Sequence, residues 1–237
     1  MKNSALNARL LCAAELTRQD ATFADIGTDH AYLPLFLLDS GKIKFAYCCD
    51  INEGPLASAR KNAEERARLD KTEFILTDGA TVLSGKGITD YAICGMGGEL
   101  IADIIERAPH LKDGSLNLIL QPMSSIEELR YYLAEDGFEI TDESICHAQG
   151  KLYQCINCSY TGNQYNLTPA EATLGKLNIE KGTSNPYFKA LLSKHSEQTK
   201  HIILGKQKGG SDASKEKMLL SELESIENKL EVFNENF

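Results

Sequence analysis

An α/β fold built on a mostly parallel, doubly wound sheet is predicted by three observations. Five short apolar runs alternate with helical ones up to residue 135. Nearly every apolar run closes on Gly, Asp or Gln-Pro. Two further apolar runs then follow with no helix between them.

Taken in order, residues 4–18 place Leu6, Leu10, Ala13, Ala14 and Thr17 at helical spacing. Phe23, Ala24 and Ile26 form a short buried strand that ends at Gly27. The chain turns through Thr28, Asp29 and His30 into a helix over residues 31–40, stopped at Gly41. Residues 43–50 read as a second strand and 53–69 as a charged helix, with Pro55 acceptable in its first turn. A third strand, 73–76, closes at Asp78-Gly79. A fourth, 90–94, closes at Gly95-Met96-Gly97-Gly98 and is followed by a helix over 99–107. The fifth, 117–120, ends at Gln121-Pro122 ahead of a helix over 125–135. Residues 138–145 and 152–160, joined through Ala148-Gln149-Gly150, predict a hairpin, so the last strand runs antiparallel to a neighbour.

A polar linker over 161–169 puts a domain boundary near residue 163, giving units 1–163 and 164–237. Thr168, Pro169 and Glu171 read as a helix N-cap, a first-position proline and a first-turn acid. Two long helices follow. One, about 186–206, carries Tyr187, Leu191, Leu192, Ile202 and Ile203 on one side. The other, about 212–233, carries Met218, Leu219, Leu223, Ile226, Leu230 and Phe233 at coiled-coil-like spacing. Residues 208–211 turn between them, which predicts an antiparallel helical coiled-coil hairpin.

Composition bounds the function. At 237 residues and 42% hydrophobic, the chain can bury a core, and no apolar run approaches the ~20 residues of a membrane span. The N-terminus lacks a signal-peptide apolar stretch. Seven cysteines, an odd number, fit reduced thiols in a cytoplasm better than a disulfide framework. Cys155 and Cys158 have the spacing of a metal or redox pair but fall in a strand-like run, where residues three apart face opposite ways. No metal site is expected. The net charge of −9 conceals a split: residues 1–160 carry all of it, while 176–208 hold seven Lys against two Glu. Such a local field matters more to partner choice than the total.

The strand ends carry the chemistry. In an open α/β sheet, ligands bind beyond the carboxyl ends of the strands, and Gly27 lets a ligand approach the first turn. Asp29 and His30 occupy places where a dinucleotide fingerprint would have further glycines. Asp29 would repel a diphosphate and suits a cationic or zwitterionic ligand, which favours S-adenosylmethionine (SAM) over NAD. Asp50, 23 residues beyond Gly27, can accept both hydroxyls of a ribose, or else cap the next helix. Asp78 can take an adenine amino proton while Gly79 leaves room for the base. Gly95 and Gly97 allow close approach of the backbone, and Met96 can pack on the adenine.

The run from Asp25 to Pro34 (Asp-Ile-Gly-Thr-Asp-His-Ala-Tyr-Leu-Pro), with Gly95-Met96-Gly97-Gly98 and Leu120-Gln121-Pro122, resembles the bacterial tRNA (adenine-22-N1)-methyltransferases, the TrmK family. The motifs span roughly residues 5–160, and the helical hairpin agrees in architecture. The family's Leu-(Ser/Thr)-x-Arg-Leu pattern is present as Leu6-Asn7-Ala8-Arg9-Leu10, with Asn7 in place of the hydroxyl residue. The resemblance implies a class I SAM-dependent methyltransferase fold, Rossmann-like, with an antiparallel last strand and a C-terminal coiled coil. It implies cofactor contacts at Arg9, Asp25, Gly27, Thr28, His30, Asp50, Ile51, Asp78, Gly79, Gly95, Met96 and Gly97.

It also implies methyl transfer from SAM to N1 of an adenine in the D-arm region of tRNA. N1 carries its own lone pair, so the task is positioning, and a carboxylate nearby would stabilise the cationic product. Asp29 is the candidate for that role, its competing role being an N-cap on the next helix. Tyr32, Gln121 and Pro122 are candidate substrate contacts, with Tyr131 a further stacking residue. Lys189, Lys194 and Lys200 are candidates for the tRNA backbone, against a reading in which they pair with the acidic helix. No membrane and no obligate protein partner are implied. Two alternatives remain at this point: a SAM methyltransferase of a small molecule, and a non-catalytic nucleotide-binding module acting through its coiled coil.

Overall fold

The computed structural model describes residues 6–235, with side chains as far as residue 230. Residues 4 and 5 of the expected first helix, and the side chain of Phe233, lie outside the described residues. The first unit, ending at Tyr165, contains α1 (Ala8–Leu16), β1 (Ala21–Ile26), α2 (Tyr32–Asp39), β2 (Ile43–Asp50), α3 (Glu53–Glu65) and β3 (Thr72–Leu76). It continues with β4 (Asp90–Gly97), α4 (Gly98–Glu106), β5 (Asn117–Ser124), α5 (Ile126–Glu135), β6 (Phe138–Ala148) and β7 (Lys151–Tyr160).

The sheet order is β3-β2-β1-β4-β5-β7-β6. β1 to β5 are mutually parallel, and β7 runs antiparallel to both β5 and β6. Alternation along the strands feeds two cores. Phe23, Ala46, Cys48, Ala92 and Ile119 face one way, with Leu33, Leu35 and Leu37 of α2 and Ala59 and Ala63 of α3. Tyr91, Ile93, Leu118 and Leu120 face the other, with Ile101, Ile104 and Ile105 of α4 and Leu129 and Leu133 of α5. With both faces covered, the central strands are apolar on both sides over residues 23–24, 91–93 and 118–120.

Several boundaries move for local reasons. α1 starts at Ala8 because Asn7 caps it, accepting the Leu10 N–H at 2.9 Å. α3 stops at Glu65, short of the expected residue 69, where Ala67 takes a left-handed φ of 54°. β5 continues through Gln121 and Pro122 to Ser124. The hairpin strands extend to a tight turn at Gln149-Gly150, both with positive φ. Cys155 lies in the cluster that packs with α1 and Cys158 in the α4–α5 core, so their sulfurs diverge as strand alternation requires.

The second unit, beginning at Asn166, contains α6 (Pro169–Leu174), α7 (Lys176–Lys181), α8 (Phe188–Lys208) and α9 (Ser214–Glu235). Thr168 and Glu171 complete a reciprocal capping box at the start of α6. Lys206 pairs with Glu216 at 2.7 Å and Lys200 with Glu224 at 3.5 Å. As the numbers fall on α8 they rise on α9, so the two helices are antiparallel. The two short helices before α8 lie outside what helical periodicity alone marked.

Candidate active site

Parallel register brings the strand ends of β1 to β5 to one edge. Ile26 pairs with Cys49 of β2 and Ile93 of β4, Ile93 pairs with Leu120 of β5, and Asp50 pairs with Leu76 of β3. The segments just beyond those residues, at Gly27, Asp50, Asp78, Gly95 and Gln121, therefore share that edge. Between β1 and β4 the chain order reverses, and this crevice is where open α/β sheets receive their ligands.

The first turn is held from below. The N–H groups of Gly27 and Thr28 both donate to the Cys49 carbonyl, at 2.8 and 2.9 Å. Gly27 has φ +75°, and a Cβ there would stand 2.3 Å from the Met96 terminal methyl. Met96 thus lies across the glycine, its terminal methyl against the turn. Asp25 is buried, and Thr28 Oγ1 donates to its carboxylate at 2.7 Å. Burial pushes its carboxyl up to about 6, partly offset by the Thr28 bond and the Arg9 charge.

Asp29 is exposed over 69% of its side chain and takes a φ of +48°. α2 is capped by Ala31 with no side-chain bond, so the N-cap role for Asp29 does not hold. Its carboxylate instead lies 3.5 Å from His30 Nε2, and the His30 ring lies 5.2 Å from that of half-exposed Tyr32. Asp29, His30 and Tyr32 form a ring-and-carboxylate group standing out from the first turn.

Asp50 is nearly buried, and one carboxylate oxygen accepts the Asn52 N–H at 2.8 Å. It braces the turn into α3, while Asn52 occupies the cap position itself. Ile51, beside it, is 62% exposed, an apolar surface at the rim. Asp78 is gripped by Arg107, whose NH1 and NH2 donate to its two oxygens at 3.0 and 3.4 Å. The same Arg107 pairs with Asp103 through Nε at 2.9 Å. Gly79 lies where a Cβ would meet Ile104 of α4 at ordinary contact distance. Its φ of +89° is what requires glycine.

Gly95 leaves room for the Arg9 side chain. A Cβ there would come within 3.2 Å of Arg9 NH1. That same NH1 donates to Gln121 Oε1 at 2.5 Å, and Gln121 Nε2 donates to the Pro122 carbonyl at 2.9 Å. Gln121 is fully buried and Pro122 is buried beside it. Both side chains are turned into the protein in this structure. Gln121 acts inward, on Arg9. Gly97 ends β4 against Ser124, and Gly98 packs so closely on the Ser125 carbonyl that any side chain would collide with it.

In the second unit, Lys189, Lys194 and Lys200 are all exposed on α8. Lys200 is partly neutralised by Glu224, while Lys189 borders a small cleft shared with Leu192, Ser193, Glu227 and Leu230. Sequence reasoning missed the Arg9–Gln121 bond and the Arg107 grip on Asp78, because each joins residues far apart in the chain. No helix among the described residues is long and apolar enough to cross a membrane.

Comparison with known proteins agrees with this geometry. Residues 6–156 match the family model described as a methyltransferase domain. The chain is 35% identical over 157 residues to the tRNA (adenine(22)-N(1))-methyltransferase of Bacillus subtilis, an alignment covering 66% of each chain. A Streptococcus pneumoniae chain solved in complex with S-adenosyl-L-methionine is 30% identical, with a TM-score of 0.77 over 94% of this chain and 98% of that one. The structure of Mycoplasma capricolum TrmK with S-adenosyl-homocysteine is 26% identical, with a TM-score of 0.75 over 96% of this chain and 98% of that one.

Proposed function

The chain belongs to the bacterial tRNA (adenine-22-N1)-methyltransferase family, and from that premise we propose that it transfers a methyl group from SAM to N1 of adenine 22 in tRNA. The observation that carries this reading is the convergence of five strand ends on one edge beside an exposed Asp29 carboxylate.

The residues present fit the cofactor. A buried carboxylate at Asp25, its carboxyl pushed up to about 6 by burial, and the Arg9 guanidinium are complementary to an amino acid's ammonium and carboxylate. Asp50 offers a carboxylate for a ribose diol, and Ile51 and Met96 offer apolar faces for an adenine. Gly27, Thr28, His30, Gly95 and Gly97 supply backbone that can come close, and Asp78 supplies an acceptor for an exocyclic amino group. SAM brings a methyl group made electrophilic by its sulfonium.

The chain's own work is to place the nucleophile. Adenine N1 needs no base, so His30 serves to orient Asp29 rather than to remove a proton. Asp29 accepts a hydrogen bond from the target's amino group, and its charge stabilises the positive charge that develops on the ring. Tyr32 stacks on the extruded base, and Lys189, Lys194 and Lys200 meet the tRNA backbone. The place of work is the cytoplasm, where tRNA is modified.

The test is direct. Incubation with methyl-labelled SAM and total bacterial tRNA, followed by digestion and mapping, should yield 1-methyladenosine at position 22. Label found only in small metabolites, or elsewhere in tRNA, refutes the reading. Asp29→Ala should slow single-turnover methylation by ~10²-fold while SAM binding persists; an unchanged rate removes Asp29 from the chemistry.

A further inference from the structure

Three thiols meet where α1 crosses the β6–β7 hairpin. Ser144 and Cys146 are two apart on β6 and so share a face, and Cys155 on β7 pairs with Ser144 in register. Cys12 of α1 lies over them. Its Sγ is 2.7 Å from Ser144 Oγ and within hydrogen-bonding reach of the Cys146 and Cys155 thiols. All three cysteines are buried in one cluster, Cys12 and Cys146 retaining 5% and 8% exposure and Cys155 none. Cys155 is also committed elsewhere, its thiol donating to the Arg9 carbonyl at 3.9 Å.

The members of this cluster are unequal. Hydrogen bonds from Cys146 and Cys155 outweigh burial and push the Cys12 thiol far below its ordinary range. The same bond to Cys12 and burial push Cys146 up. Cys12 is placed to attack and Cys146, the more exposed of its two neighbours, to resolve, since Cys155 is fully buried and held to the Arg9 carbonyl. Arg9 lies three residues before Cys12 on the same face of α1 and reaches the strand-end ledge from there.

We propose that Cys12 and Cys146 form a peroxide-sensitive pair whose disulfide binds α1 to β6 and displaces Arg9 from the strand-end ledge. The Cys12 thiol gives up its proton and attacks a peroxide oxygen, the O–O bond breaks, and the departing hydroxide takes that proton, leaving a sulfenic acid and one water. The Cys146 sulfur then attacks Cys12 Sγ, the S–O bond breaks, and a second water leaves with the Cys146 proton. Two thiols lose two electrons and hydrogen peroxide gains them. Closing a non-bonded contact to the ~2.05 Å of an S–S bond draws the helix towards β6. The effect on the cofactor rests on the functional reading above; the thiol chemistry does not.

Wild-type, C146S and C155S proteins would be exposed briefly to hydrogen peroxide, alkylated, and digested without reductant. Mass spectrometry should find Cys12 joined to Cys146 in the wild type and in C155S and no such link in C146S. Equilibrium dialysis with SAM should show affinity about tenfold weaker in the bridged protein, restored by dithiothreitol. A Cys12–Cys155 link, or sulfinic acid with no bridge, overturns the pair. A Cys12–Cys146 bridge with unchanged SAM affinity overturns its coupling to Arg9. If the reduced protein binds no SAM, the functional reading fails while the peptide map still decides the pair.

Discussion

Arg9 and Gln121, 112 residues apart in sequence, share a 2.5 Å hydrogen bond that fixes the N-terminal helix to the end of β5. Gln121 is fully buried and its amide nitrogen is used on Pro122, so its orientation is determined and Oε1 must face Arg9. Substituting Gln121 with Leu would leave a guanidinium beside an apolar side chain. A hydrogen bond to a charged group contributes about 1.5–3 kcal/mol. Gln121→Leu should therefore raise the KM for SAM about tenfold or more while changing kcat little. Gln121→Glu, which keeps the acceptor, should hold KM near the wild-type value. Steady-state kinetics at saturating tRNA separates these outcomes, and equal KM in all three proteins would detach Gln121 from the cofactor.

Asp25 should make stability depend on pH in an unusual direction for an acid. Its carboxyl is pushed up to about 6 by burial, above the usual carboxylate value. Between the two values the folded protein holds a proton that the unfolded chain has lost. Stability is then greatest below about pH 4 for this group and falls as pH rises through about 6, by on the order of 2–3 kcal/mol. Urea denaturation from pH 4 to 7 should show that decline in the wild type and lose it in Asp25→Asn. Because an ammonium group favours the ionised carboxylate, SAM affinity should rise over the same interval.

Arg130 and Glu143 test the fold independently of the site. Both are fully buried, Arg130 donating from Nε and NH2 to one Glu143 oxygen at 2.9 and 2.7 Å and from NH2 to Gln154 at 2.9 Å. Removing one partner takes away the opposite charge from a fully buried ion. Glu143→Ala should cost about 3–5 kcal/mol in chemical denaturation. Arg130→Met together with Glu143→Leu should recover most of that loss, because an apolar pair of similar volume carries no charge to desolvate. A single variant as stable as the wild type would contradict the burial of this pair.

How much of this was legible in the sequence follows from the range of each interaction. Periodicity and strand-end glycines are local, so the five parallel strands, the hairpin and the Thr168–Glu171 capping box could all be read directly. Asn7, which replaces the family's hydroxyl residue, keeps the cap by offering its own side-chain oxygen. What could not be read is where distant residues meet. Gly79 turns towards Ile104 of α4, Gly95 makes space for Arg9 of α1, and Gln121 faces inward because Arg9 comes to meet it. The Arg107 grip on Asp78 likewise depends on a helix that starts 20 residues later. No spacing within one segment encodes such meetings.

The lysines of α8 separate two kinds of charge. Lys200 already has Glu224 at 3.5 Å, whereas Lys194 is exposed and Lys189 stands at the rim of its cleft. Each phosphate neutralised contributes roughly 0.7–0.9 to the slope of log affinity against log salt. Lys189→Glu with Lys194→Glu should weaken tRNA binding and reduce that slope by about 1.4–1.8, while SAM affinity stays unchanged. Lys200→Glu should act mainly on the helical hairpin, since it sets two acids together and lowers the melting temperature. Filter binding across a salt series, beside thermal unfolding of each variant, distinguishes the two effects. An unaltered salt slope in the Lys189 and Lys194 double variant would place the RNA contact elsewhere. A Lys200→Glu protein that loses tRNA without losing stability would show that its pairing with Glu224 yields to phosphate.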